Sequence, residues 1–302
     1  MPSGSSLLIV NPAAGGVVDP QRIVDEIHSR NGCPVRTTSE AGDARRFARE
    51  AAEAGTEVIW VAGGDGTLHE VVLGLRDATT DPRPVLQPLP LGTGNDLIRS
   101  LEIPLDWAEA VAALAESSRS VALNLMDVTL DGETRVGMNA VIVGNGGRVG
   151  EVLDAEGKSW WGPLAYLRAG VEVALELEPQ SMELTVDGGE PREERVLNVV
   201  VANGRYAGHG IPIAPGAEPD DDVLELVTVT DTTLPEALRV VSSLLAERDP
   251  EHDAYRHQAV TSVTLRAVGP DPLPVSVDGE NTEARRIQVS LATDRVSVRV
   301  PE

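Results

Sequence analysis

With 302 residues, 41% of them hydrophobic, the chain can bury one large core or two ordinary ones, and with only 3% aromatics that core is aliphatic. A formal charge of −23, with Lys158 as the sole lysine, is a poor match to nucleic acid, whose binding relies on neutralising phosphates, and no nucleic-acid partner is expected. Cys33 is the only cysteine, so no intrachain disulfide forms, and no apolar run approaches membrane-spanning length. Acidity without lysine fits a salt-rich cytoplasm, where the Debye length falls to about 3 Å at molar salt. An ordinary acidic protein from a high-GC genome is the plainer alternative. Met1 to Ser6 lacks a basic segment and Leu7–Val10 is too short for a signal. A cytoplasmic chain is expected, whose membrane contact is peripheral.

The first third alternates strand and helix signals. Leu7 to Val10 reads as a buried strand, and Asp19-Pro20 opens a helix with Ile23, Val24 and Ile27 on one face. Asp43 is placed to cap a helix carrying Phe47, Ala48, Ala51 and Ala52. Val58 to Ala62 is the next strand, Leu68 to Arg76 the next helix, and Val85 to Leu91 an extended run. Asp106 caps a helix with Val111, Leu114 and Ala115. Strands alternating with helices predict a doubly wound, mostly parallel sheet over residues 1–122.

From Val121 onward the runs are short, β-branched and separated by turns: Val121–Leu130, Val136–Val143, Met182–Val186, Val196–Ala202, Val223–Thr230, Val260–Val268, Leu273–Val277, Ile287–Leu291 and Val296–Val300. Asp131-Gly132 and Asp187-Gly188 read as hairpin turns. Leu164–Leu177 and Leu234–Ala246 read as helices. The expectation is a β-sandwich-like second domain over 123–302, with its C-terminal strand able to pack back on the first.

Two glycine-rich turns carry the chemistry. Gly63-Gly64-Asp65-Gly66-Thr67 lies between a strand and a helix, where backbone N–H groups and a helix N-terminus can meet a phosphate. Asp65 suits magnesium, which prefers oxygen ligands shared with nucleotide phosphates, and Thr67 is placed to cap the helix and reach a phosphate oxygen. Gly92-Thr93-Gly94-Asn95-Asp96 repeats the logic, with Thr93 and Asn95 as donors and Asp96 a second acid. Each alone could be a plain turn. Two at the C-terminal ends of neighbouring strands would face one crevice, and Asn11-Pro12, after the first strand, should reach the same edge.

Phosphoryl transfer to an alcohol calls for a carboxylate near the attacking hydroxyl. Val277-Asp278-Gly279-Glu280 and Leu130-Asp131-Gly132-Glu133 are the same type of tetrapeptide. Spacing leaves Asp278 a modest favourite, with a hairpin turn as the strong competing reading.

Asn11-Pro12, GGDGT at 63–67, PLGTGND at 90–96 and VDGE at 277–280 occur in the order found in the diacylglycerol kinase catalytic family, which the chain resembles over essentially its whole length. Lys158 with Gly162 and Ala165-Tyr166, Asn203 to Gly208, and the run Asp220 to Asp222 are similar too. The resemblance implies an α/β domain of the 6-phosphofructokinase and NAD-kinase type, a β-rich domain contributing VDGE, and ATP in the cleft between them. It implies nucleotide contacts at Asn11, Gly63, Gly64, Gly66, Thr67, Gly92, Thr93, Gly94, Asn95 and Glu280, magnesium at Asp65, and a general base at Asp278. Asp96, Arg99 and Asp127 match positions near the acceptor lipid. Asp221, with Asp220 or Glu218 and the Val223 carbonyl, resembles a second, structural metal site.

The expected activity is transfer of the γ-phosphoryl group from ATP, with magnesium, to a lipid alcohol such as diacylglycerol, a step of phospholipid biosynthesis. The rivals are an NAD kinase and a binding regulator without catalysis. A homodimer is compatible with the sequence, which does not decide it. Three departures from the family stand out: the first loop reads AAGG without the usual basic residue, Asp222 replaces a common glycine, and His209 interrupts a glycine run. Trp160-Trp161 beside Lys158 suggest a membrane-edge patch, with helix packing as the plainer reading.

Overall fold

The apolar runs of the first third become parallel strands in the computed structural model, which describes residues 5–15, 19–145 and 178–302. The chain forms two compact units, Met1–Leu125 with Thr293–Glu302, and Met126–Ala292.

In the first unit β1 (Ser6–Val10) pairs in parallel with β2 (Val35–Thr37) and β3 (Val58–Gly63), and β3 with β4 (Val85–Pro90). These strands read as continuous apolar runs because both faces are covered. Leu8, Ile9, Ile59 and Leu86 are fully buried, each contributing roughly 1.5–3 kcal/mol relative to exposure. The helices are α1 (Pro20–Asn31), α2 (Asp43–Glu53), α3 (Asp65–Asp77), the single turn α4 (Asp96–Ser100) and α5 (Trp107–Glu116). Asp19 and Asp106 cap α1 and α5 as their sequence positions predict, accepting N–H groups of Gln21, and of Ala108 and Glu109. Asp43 does not cap α2. Gly42 holds that position, and the Asp43 carboxylate instead accepts the N–H groups of Ser39 and Glu40 and pairs with Arg46. Gly74 lets α3 lie directly on α2, since a Cβ there would fall 2.2 Å from the Arg45 carbonyl oxygen.

The second unit is antiparallel. Its strands are β5 (Ser120–Leu130), which begins in the first unit, β6 (Glu133–Gly137), β7 (Ala140–Gly144), β8 (Gln180–Val186) and β9 (Arg192–Ala202). The short β10 (Tyr206–Ala207) and β11 (Ile211–Pro212) follow, then β12 (Leu224–Thr230), α6 (Leu234–Leu245), β13 (Tyr255–Val260) and β14 (Ser262–Ala267). Last come β15 (Leu273–Val277), β16 (Glu280–Ala284) and β17 (Arg286–Arg299). The hydrogen-bonded order is β16-β15-β7-β9-β8-β14-β17, with β12 also on β9 and β13 on β12. Val141, Val143, Leu184, Val199, Leu265 and Val275 belong to its core.

The α/β first unit and β-rich second unit agree with the fold class read from the sequence, but three runs divide differently. Ile287–Leu291 and Val296–Val300 are one strand, β17, which ends in the first unit with Val298 parallel to Leu86. Val260–Val268 breaks between β13 and β14. Val136–Val143 breaks at Met138-Asn139, whose N–H groups go to the Asp278 carboxylate rather than to a neighbouring strand. The helix read over 164–177, Gly16 of the first loop, and the Lys158 to Tyr166 segment with its two tryptophans lie outside the described residues.

Candidate active site

Three loops leave the C-terminal ends of β1, β3 and β4, and in the first unit they touch. The Asn11 amide after β1 donates to Thr67 Oγ1 at 2.9 Å. Gly15 has φ of +72°, and a Cβ on it would overlap the Leu91 carbonyl oxygen at 1.7 Å. Gly64 after β3 lies against Gly92 after β4, where a Cβ on Gly92 would sit 2.6 Å from the Gly64 Cα. Gly63 is filled from the other side, with Thr67 Cβ 2.5 Å from where its own Cβ would be. The second loop closes on itself: Asn95 Oδ1 accepts the Gly92 N–H and its amide returns to the Gly92 carbonyl.

Gly66 differs from these. It is exposed, and a Cβ there would meet nothing within 4 Å. Internal packing accounts for Gly63, Gly64 and Gly92, and leaves Gly66 as open space at the start of α3. The first N–H groups of a helix have no partner inside it, so that turn offers donors as well as room. Thr67 does not cap α3. Gly64 is the N-cap, while Thr67 is buried in the first turn and holds Asn11.

Asp65 ties the two glycine turns together. Its Oδ1 accepts the Leu97 N–H at 3.4 Å, at the start of α4. Its pKa is raised to about 6, first by burial and then by the like charge of Asp96, against the N–H groups of Leu97, Asn95 and Asp96. Two carboxylates on neighbouring turns whose charges oppose each other suit magnesium, which binds one or two carboxylates and keeps waters or phosphates elsewhere. Among the described residues no group of three or more His, Cys, Asp or Glu side chains could hold a metal. Thr93 is exposed, Gly94 is buried, and the half-buried Arg99 donates from Nε to the Gly94 carbonyl.

In the second unit Asp278 and Gly279 form the β15–β16 turn, with φ of 48° and 90°. The Asp278 carboxylate accepts three backbone N–H groups: Met138 at 2.6 Å, Asn139 at 2.8 Å and Ala140 at 2.9 Å. Glu280 is exposed, 4.0 Å from Arg135. Asp127 lies on β5, opposite Val136. Asp220, Asp221 and Asp222 are exposed, and Asp221 accepts the Val223 N–H. Asp222 and His209, at the places where glycine was expected, have φ of 64° and 69°, the left-handed region glycine favours.

Asn139 was missed by the sequence reading. Its amide donates to the Tyr206 carbonyl, and its own carbonyl accepts the N–H groups of Asn203 and Gly204. The available signal was a polar residue inside the apolar run Val136–Val143.

Comparison with known proteins gives a concordant result. A family model described as the diacylglycerol kinase catalytic domain matches residues 5–127. A second, described as the YegS C-terminal NAD kinase beta sandwich-like domain, matches residues 139–299. A probable lipid kinase YegS-like protein of Stenotrophomonas maltophilia is 32% identical over 274 residues, covering 88% of this chain and 86% of that protein. Another from Chromohalobacter salexigens is 31% identical over 304 residues, covering 99% of this chain and 94% of that protein. A crystal structure of a proposed diacylglycerol kinase from Bacillus anthracis superimposes with a TM-score of 0.80 at 28% identity, covering 98% of this chain and 95% of that one.

Proposed function

The chain belongs to the YegS-like lipid kinases of the diacylglycerol kinase family, and we propose that it moves the γ-phosphoryl group of ATP, with magnesium, to a hydroxyl of diacylglycerol or a related glycerol lipid. The observation that carries the reading is that three strand-end loops join while Gly66, in the first turn of α3 and not required by packing, faces open space. A phosphate there would meet the α3 N–H groups. Asp65 and Asp96 would hold the metal, which when bound neutralises charge on the transferring phosphate. Asn11 fixes Thr67, and Asp65 fixes the start of α4, so both loops are set before a nucleotide arrives.

A lipid acceptor calls for contact with a lipid surface, and we infer that this contact is peripheral; no helix among the described residues is long and apolar enough to cross a membrane. The described likeness of the second unit to an NAD kinase sandwich makes NAD the one rival acceptor. The test is transfer of labelled γ-phosphate with magnesium to diacylglycerol, ether-linked glycerol lipids, sphingoid bases, phosphatidylglycerol and NAD. Label in an organic-soluble product supports the proposal and names the acceptor. Label in NADP replaces it.

A further inference from the structure

Asn139 joins the two backbone segments that set the Asp278 carboxylate. That carboxylate accepts the Met138 N–H on Oδ2 and the N–H groups of Asn139 and Ala140 on Oδ1. Three donors leave about one of its roughly four lone-pair positions open. A proton acceptor in this turn works through that remaining lone pair, and the three donors fix where it points. The Asp278 N–H returns to the Ala140 carbonyl at 3.0 Å, so the turn and the 138–140 backbone hold each other.

The 138–140 backbone is held in turn by residues 203–206. The Asn203 amide donates to the Met138 carbonyl at 2.8 Å. The N–H groups of Asn203 and Gly204 donate to the Asn139 carbonyl at 2.8 and 3.1 Å. The Asn139 amide crosses the other way, to the Tyr206 carbonyl at 2.7 Å. Asn139 thus donates to the carboxylate from its main chain and to the 203–206 segment from its side chain.

Stability alone does not account for this side chain. Asn139 is 7% exposed, and its amide oxygen is buried without a hydrogen-bond partner among the described residues, which costs stability. The other end of β7 supplies a comparison. Asn145 is 5% exposed, and its amide donates to the Glu178 and Leu197 carbonyls at 3.1 and 2.9 Å. Its own N–H goes to the Leu197 carbonyl. Asn145 ties main chain to main chain, whereas Asn139 ties main chain to a carboxylate.

We propose that Asn139 is a positioning residue for the phosphoryl transfer: its amide, anchored on the Tyr206 carbonyl, steadies the three N–H groups that orient the Asp278 carboxylate toward the acceptor hydroxyl. This rests on the lipid kinase reading, in which Asp278 takes the hydroxyl proton while the hydroxyl oxygen bonds to the γ-phosphorus and ADP leaves. Asn139 acts through Asp278 and touches neither the proton nor the phosphate.

The experiment compares Asn139→Ala, Asn139→Ser and Asn145→Ala, all of which keep the main-chain N–H and remove the amide. The serine hydroxyl is too short to span to the Tyr206 carbonyl, and this variant gives the same readings where alanine fails to fold. Melting temperature, amide exchange over residues 138–140, and kcat and KM for ATP are measured. The Asn139 variants should melt within about 4 °C of wild type, because the lost bond is offset by removal of an unpartnered oxygen. Exchange over 138–140 should quicken about tenfold or more, and kcat should fall about tenfold or more with KM for ATP unchanged. Asn145→Ala should keep its kcat even where it melts lower. Wild-type kcat in the Asn139 variants would overturn the proposal. So would an equal loss in Asn145→Ala, which would trace the effect to a loosened β7, and so would a fall in kcat without faster exchange. Should the wild type phosphorylate no lipid, the kinase reading fails, and exchange still decides the tether: faster exchange over 138–140 supports it and unchanged exchange refutes it.

Discussion

Gly64 and Gly92 meet backbone to backbone, closely enough that a Cβ on Gly92 would lie 2.6 Å from the Gly64 Cα, and one on Gly64 would lie 3.0 Å from the Gly92 Cα. Neither neighbour is the end of a flexible side chain, so the loops themselves would have to part. Gly92→Ala should therefore cost about 1–3 kcal/mol, seen as a fall in melting temperature. Gly66→Ala should melt at or slightly above wild type, since alanine favours a helix by up to about 1 kcal/mol. Its KM for ATP should rise by roughly tenfold or more, a loss of about 1.4 kcal/mol in binding. Unchanged ATP kinetics in Gly66→Ala would remove the reason for reading that space as the phosphate seat.

Asp65 makes the metal-free protein pH-sensitive in a defined direction. Its folded pKa of about 6 exceeds the unfolded value, so between these limits the folded state binds the proton that the unfolded chain has released. The charged form is penalised in full above about pH 7, and the penalty fades as pH falls toward about 4. Asp65→Asn should accordingly stabilise the metal-free protein at pH 7.5, by at most about 2–3 kcal/mol, with the difference vanishing near pH 4. The same variant should lose the magnesium dependence of ATP binding. Thermal melts across pH, with and without magnesium, check both statements. A variant less stable than wild type at pH 7.5 would contradict the first.

Asn11 is joined to the buried Thr67 hydroxyl across 56 residues of sequence. Asn11→Ala strands that hydroxyl and should cost about 1–2 kcal/mol, whereas Asn11→Asp, which can accept from it, should recover most of the loss. Equal melting temperatures for the two variants would show that the contact contributes nothing.

The parallel strands were legible because Leu7–Val10 and Val58–Ala62 are buried on both faces and so carry no polar alternation to confuse the reading. The glycine turns were legible because close backbone approach leaves glycine as the residue that fits. What the sequence concealed was long-range pairing of carboxylates with backbone. Val136–Val143 reads as one strand until a carboxylate about 140 residues later takes the N–H groups in its middle. Asp43 has the spacing of a helix cap, yet is drawn to Ser39 and Glu40 and to Arg46, which hold its pKa far below the usual range. Asp131 and Asp278 have the same tetrapeptide context, and only their partners distinguish them.

A formal charge of −23 opposes approach to an anionic bilayer at low ionic strength. Co-sedimentation with anionic vesicles should increase from low to molar salt, where the Debye length is about 3 Å, and on adding divalent cations. Binding that is strongest at low salt would point instead to a local basic patch.

The most direct test of the central claim is transfer of γ-phosphate from labelled ATP into a total lipid extract, with magnesium or with chelator, at low and molar salt. Magnesium-dependent label in the organic phase is the predicted result. With ATP binding confirmed, label that stays in the aqueous phase under every condition would contradict lipid phosphorylation by this chain.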